Sequence, residues 1–164
     1  MAHPTRRLFL LGAAALAGCG FQLRRAPELH VHSIALAGFA ADSPLAAELR
    51  RQISHTPVKL MADPNKAELV LEARRDSRDK VVEVQTSAGQ VREWQLRLQV
   101  DFLVRTPAGE VLLPRTELRL TRDMNYTEEA ALAKEQEEAQ LFRAMQSDAV
   151  AQMLRRVAAV RLPD

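Results

Sequence analysis

Much is scarce in this chain: it holds one cysteine, six glycines, one tryptophan, one tyrosine and five phenylalanines in 164 residues. A lone cysteine excludes an internal disulfide. So few aromatics leave no run of stacking surfaces for single-stranded nucleic acid. A surplus of one charge is missing too, with 23 Lys+Arg against 21 Asp+Glu. Arg6 and Arg7 precede the first acid, Glu28, in a segment that reads as removable, which leaves 21 against 21. A neutral domain lacks the electrostatic footprint of a general nucleic-acid binder, and no nucleic-acid partner is expected. Long apolar runs are also absent. The longest, Leu8 to Ala17, covers roughly 15 Å as a helix, about half of a ~30 Å hydrocarbon core, so a permanent membrane span is not expected. What is present, 47% hydrophobic and 27% charged residues, reads as one folded domain.

The N-terminus has the three parts of an export signal: a basic region (His3, Arg6, Arg7), the apolar run, and small residues after it. The Arg6-Arg7 pair leaves the folded-export route open beside the ordinary one. Leu16-Ala17-Gly18-Cys19 resembles the lipobox of bacterial lipoproteins, in which cleavage falls before the cysteine and its thiol takes up lipid. The alternative is an incidental cysteine beside an ordinary cleavage site. The resemblance implies several acyl chains on Cys19, enough for firm anchoring. Gly20 rather than aspartate after the cysteine implies an outer-membrane address. The expected organisation is a leader over 1–18, an acylated tether over 19–28 and a single domain over 29–164.

Along the mature chain, Leu29 to Ala37 is strand-like, with an alternation that slips at Ser33, which predicts a bulge or burial on both faces. Ser43-Pro44 is an N-cap followed by proline at the first helical position, and Leu45, Leu49 and Ile53 fall on one face of a helix over about 44–55. Val58 to Met61 reads as a short strand and Asp63-Pro64-Asn65 as a turn. Glu68 to Val84 is strand-like but charged at its middle, as one long bent strand or two joined by a bulge. Ser87-Ala88-Gly89 and Pro107-Ala108-Gly109 are hairpin turns. Between them Trp94, Leu96, Leu98, Val100, Phe102 and Val104 alternate with polar residues, the pattern of an antiparallel strand with one dry face. Leu112, Leu118 and Leu120 fall in phase on the strand that follows. From Thr127 the period becomes helical. A helix over 128–160 would reach about 50 Å, more than the roughly 40 Å diameter of a compact domain, so its Ala-rich, acidic first third is expected to overhang, bend or start later.

Catalytic candidates are thin, and no catalytic residue or cofactor is expected. His30 and His32 lack a third ligand for a metal. There is no Gly-rich phosphate loop and no GxSxG elbow. Glu128-Glu129 and Glu135-Glu137-Glu138 read as a solvated helix face. The polar face of the central strands carries Arg97, Arg105, Arg115 and Arg119, whose planar forks suit phosphate or carboxylate; an ordinary solvent-facing sheet is the competing reading.

Cys19-Gly20-Phe21-Gln22-Leu23-Arg24, Ser87-Ala88-Gly89-Gln90 leading into Glu93-Trp94-Gln95-Leu96, Leu132-Ala133-Lys134-Glu135, and Asp148 to Val157 with Arg155-Arg156 occur in that order. Together they resemble the LptE family of lipopolysaccharide-assembly lipoproteins. The resemblance implies a two-layer α+β sandwich: a mostly antiparallel sheet of about four strands with two helices on one face. It implies a non-enzymatic protein that plugs an LptD-family outer-membrane β-barrel and assists lipopolysaccharide assembly in the outer leaflet. Lys134 and Arg92, with Arg97 and Arg105, are the expected lipopolysaccharide contacts; Lys134 could equally be an i, i+4 partner of Glu138. The alternative function is a lipoprotein that stabilises another envelope complex without binding glycolipid.

Overall fold

A computed structural model of the chain describes residues 28–162. Five strands, β1 (Ser33–Ala37), β2 (Lys59–Met61), β3 (Leu69–Gln85), β4 (Val91–Arg105) and β5 (Val111–Asn125), form one sheet in the order β2-β1-β3-β4-β5. Helix α1 (Pro44–Ser54) follows β1, and α2 (Ala131–Ala158) closes the chain. The sheet is mixed: β1 runs parallel to both β2 and β3, and β3-β4-β5 is an antiparallel meander. The expected α+β class holds; the short strand read at Val58 to Met61 makes five where the resemblance implied about four, and two of the pairings are parallel. The parallel pairings follow from α1, because a helix between β1 and its neighbours is a crossover, and crossovers join parallel strands.

Local chemistry accounts for the elements. Ser43 caps α1, its hydroxyl accepting from the Ala46 amide at 3.0 Å, with Pro44 at the first helical position. Both long hairpins use three-residue loops whose last residue is a glycine of positive φ, Gly89 and Gly109, and Thr86 and Thr106 close them through side-chain and backbone bonds. The strand expected from Leu29 begins at Ser33, and the slip there reflects burial on both faces, since Ile34 and Ala35 are each fully buried. The charged stretch after Glu68 is one strand, β3, with a register shift between Ala73 and Arg75. In β5 a shift opposite Phe102 and Val104, beside Pro114 on the sheet edge, moves the phase, so Leu113 rather than Leu112 stands across from Val104.

The core lies between the sheet and the two helices. Leu96, Leu98, Val100, Phe102 and Val104 of β4 meet Ile34, Leu69 and Leu71 from the sheet, Leu45, Leu49 and Ile53 from α1, and Met145, Ala149, Val150, Met153 and Val157 from α2. β4 supplies the centre because both its neighbours are paired along its whole length. Of overhang, bend and later start, the last helix shows the later start, with Glu128–Ala130 forming a 3₁₀ turn before it. α2 starts at Ala131 and its 28 residues reach about 42 Å, while the 17 residues of β3 reach about 56 Å beneath it. The domain is elongated along its strands, so the diameter of a compact sphere does not apply.

On the far face, Asp101 of β4 stands directly across from Glu117 of β5, a like-charge pair that is unfavourable by itself. Each acid takes its own arginine: Arg115 donates to Asp101 and Arg119 to Glu117. Hydrogen bonding to Asp101 holds the Arg115 guanidinium above its ordinary pKa, and bonding to Glu117 does the same for Arg119. The two pairs differ in depth, with Asp101 only 2% exposed and its second carboxylate oxygen without a partner. Arg115→Met is therefore expected to lower the thermal midpoint clearly more than Arg119→Met; equal shifts would contradict the burial argument. A second test concerns Gly38, whose φ is +76° and where an added Cβ would stand 2.1 Å from the Ala73 carbonyl oxygen. Gly89 has a similar φ of +80° with open space around it. Urea unfolding is expected to show a loss of about 1–2 kcal/mol for Gly89→Ala, from left-handed strain alone. Gly38→Ala should cost about 3 kcal/mol or more. Equal losses would show that β1 can move away from β3.

Candidate functional site

Beyond the α1 level, the helix-facing side of β3 changes character. Asp76, Arg78, Lys80 and Val82 stand across from Val100, Leu98, Leu96 and Trp94, so charged side chains point toward the helix layer. They are tolerated because α2 fully buries side chains only from Met145 onward. Each has a specific partner. Asp76 accepts from the Ser43 hydroxyl. The Arg78 guanidinium lies 5.8 Å from the centre of the Phe142 ring. Lys80 Nζ lies 4.7 Å from the Trp94 ring centre and donates to Glu138 at 2.5 Å. The Arg78–Phe142 contact and the Lys80–Glu138 ion pair join this polar strand to the half-buried stretch of helix above it, while the Lys80–Trp94 contact lies within the sheet.

Two features surround these partners. Between α1 and α2 is a cavity of about 590 Å³ whose walls include Glu48, Arg51, Arg78, Glu135, Phe142 and Arg143. At the 86–90 end, Trp94 meets Tyr126 edge-on with ring centres 6.3 Å apart, and Val82, Val84 and Leu132 are exposed, Leu132 by 73%. This end thus combines apolar side chains with Lys80, Arg92 and Lys134, and with the carboxylates of Glu128, Glu129, Glu135, Glu137 and Glu138.

The expected contact residues separate into two groups. Arg92 lies at this end: its carbonyl accepts from the Tyr126 amide at 2.8 Å, and it borders a small cavity with Thr127, Glu128 and Glu129. Among the described residues its guanidinium makes only a 3.5 Å contact with Gln90. Lys134 lies in the first turn of α2, which begins just after that connection. Its partner is Glu137 at 2.8 Å rather than Glu138, because Glu138 is taken by Lys80. Arg97 is on the far face of β4, bonded to Gln95 at 2.7 Å. Arg105 sits near the other end of the same strand, donating to Glu72 at 2.6 Å. Thirteen residues of strand, about 43 Å, separate it from Arg92, so one headgroup cannot touch both.

Lys80 escaped the sequence reading, where it was one charge in a run. Counting outward from the Ser87-Ala88-Gly89 turn would have found it, since the two register shifts near the turn offset one another and leave Val82 opposite Trp94. His30 and His32 precede β1, and His32 Nδ1 is 3.2 Å from Glu68. Among the described residues no three His, Cys, Asp or Glu side chains group as a metal site. No helix among them is long and apolar enough to cross a membrane. Cys19 lies outside the described residues, as do Arg6 and Arg7.

The comparisons with known proteins agree with this architecture. The model of the family described as "LptE: Lipopolysaccharide-assembly" matches residues 29–157. No curated protein sequence matches the chain. Among solved structures it is similar to an uncharacterized lipoprotein B from Nitrosomonas europaea, with 33% identity, 85% of this chain and 91% of that one covered, and a TM-score of 0.72. The rare lipoprotein B from Shewanella oneidensis shares the fold at 23% identity and TM-score 0.62, covering 77% of this chain and 94% of that one. A minor lipoprotein from Acinetobacter baumannii does so at 22% identity and TM-score 0.66, covering 83% and 100%. A family match across most of the chain, on a sheet and helix pair of the expected order, means that this protein belongs to the LptE lipopolysaccharide-assembly family.

Proposed function

We propose that the protein is a non-enzymatic lipoprotein of the outer membrane, anchored by acyl chains on Cys19. Its domain fills the lumen of an LptD-family β-barrel and helps deliver lipopolysaccharide to the outer leaflet. The observation that supports the lipopolysaccharide contact is the placement of Arg92 and Lys134, distant in sequence, at the same end of the molecule as the exposed Val82, Val84 and Leu132. A lipid phosphate needs cations, and the acyl chains beside it need apolar surface; this end offers both. Arginine and lysine suit the task differently, one by its planar fork and the other as a mobile point charge.

The far face supports the barrel contact. Rows such as Arg75–Asp101–Glu117 and Asp79–Arg97–Thr121 run across β3, β4 and β5, with ion pairs at Glu72–Arg105 and Asp101–Arg115. A surface of interspersed, mostly self-paired charges fits a polar lumen wall and repels neither sign of ligand. The lipoprotein names of the solved relatives and the lipobox-like Leu16-Ala17-Gly18-Cys19 of this chain both support the anchor.

Two measurements test this reading. Purified protein should bind lipopolysaccharide, and Arg92→Ala and Lys134→Ala should each weaken binding several-fold, while Arg105→Ala, remote and paired with Glu72, changes it little. An affinity unmoved by the first two substitutions would favour a lipoprotein that stabilises another envelope complex. For the anchor, cells making the Cys19→Ala protein should incorporate no labelled fatty acid into it, and persistent labelling would contradict the lipobox reading.

A further inference from the structure

From Ala131 to Ala144 no α2 side chain is buried, whereas six between Met145 and Val157 are. The helix also starts without help, since neither Thr127 before its 3₁₀ turn nor Ala130 at its N-cap makes a side-chain capping bond. An uncapped, unburied helix start belongs to the low-stability part of a fold. Leu141 and Phe142 pack partly buried against the core; ahead of them the tie to the sheet is Lys80, 2.5 Å from Glu138 and 4.7 Å from the Trp94 ring centre, with Arg78 against Phe142 one turn further on.

We propose that Lys80 is an anion-binding residue held closed by Glu138, and that a phosphate displacing the Glu138 carboxylate frees residues 131–141 from the sheet. The Lys80 side chain is 31% exposed and so within reach of solvent. A phosphate brings more negative charge and more acceptor oxygens to the ammonium than a carboxylate does. Glu138 also borders the cavity of about 590 Å³, where Arg78 and Arg143 make no ion pair with another described residue and can hold the remaining oxygens. Release of the helix start uncovers Trp94, beside the already exposed Val82 and next to the bound phosphate. The ligand class is therefore an amphiphile with a phosphate head. This inference rests on the lipopolysaccharide reading only for the source of that phosphate.

Hydrogen exchange on the full mature chain tests it. With Lys80→Met, which keeps an apolar stem over Trp94 and removes the charge, amides 131–141 should exchange about tenfold faster while those of 149–157 stay unchanged. In the unaltered protein, inorganic pyrophosphate should speed exchange of 131–141 beyond sodium chloride at equal ionic strength, and in Lys80→Met it should add nothing. Glu138→Gln, which leaves Lys80 in place, should bind pyrophosphate several-fold more tightly, an effect that loss of a structural contact would not produce. Unchanged protection in Lys80→Met, or pyrophosphate acting no more than chloride, would overturn the proposal. Lipopolysaccharide serves as the second probe. Binding without opening of 131–141 would overturn the latch and leave the proposed function standing. Pyrophosphate-driven opening without lipopolysaccharide binding would support the latch and overturn that function.

Discussion

The sheet is longer than the helix layer that covers it, and most of the molecule's character follows from that mismatch. β3, β4 and β5 each run for 15 to 17 residues, but the last fully buried side chain of α2 toward the 86–90 end is Met145. Past that level β4 keeps its alternation, so Leu96 and Trp94 still need cover. β3 supplies it with Lys80 and Arg78, whose stems lie over apolar surface while their heads meet Glu138 and Phe142. One half of the domain is thus a dry core and the other is a polar sandwich held by charge and ring faces. The second half is where a ligand can compete with what holds the structure together.

That division explains why some features were legible in the sequence and others were not. The alternation from Trp94 to Val104 identified the central strand, and its dry face is buried from Leu96 to Val104, with Trp94 half-buried, because β4 is bulge-free against the core and paired on both sides. Ser43-Pro44, with Leu45, Leu49 and Ile53, marked α1 closely, since capping and amphipathic spacing are local signals. The two glycine turns were legible for the same reason. Parallel pairing of β1 was hidden because it depends on where α1 returns the chain. The bulge at Arg74 was hidden because a single extra residue reverses which charges face the helices, and no composition marks it.

For the candidate site, the family resemblance pointed to Arg92 and Lys134, and residue type grouped Arg97 and Arg105 with them. The structure draws a line between them. Arg105 lies at the far end of β4 with Glu72 and belongs to the self-paired charge pattern of the polar face. The pairing of Lys134 was misjudged because helical spacing offers Glu137 and Glu138 equally, and only the sheet, through Lys80, decides which remains free for it. Long-range competition for one carboxylate cannot be read from spacing along one helix.

A neutral, mixed-charge face on one side, and on the other an end where apolar side chains stand beside Lys80, Arg92 and Lys134 among paired carboxylates, are the surfaces expected of a domain that sits against a polar wall while an anionic amphiphile passes. The measurement that bears most directly on this account is capture of the acylated protein from detergent-extracted outer membranes. The account predicts recovery together with an outer-membrane β-barrel in a fixed ratio; recovery only as a free monomer would contradict it.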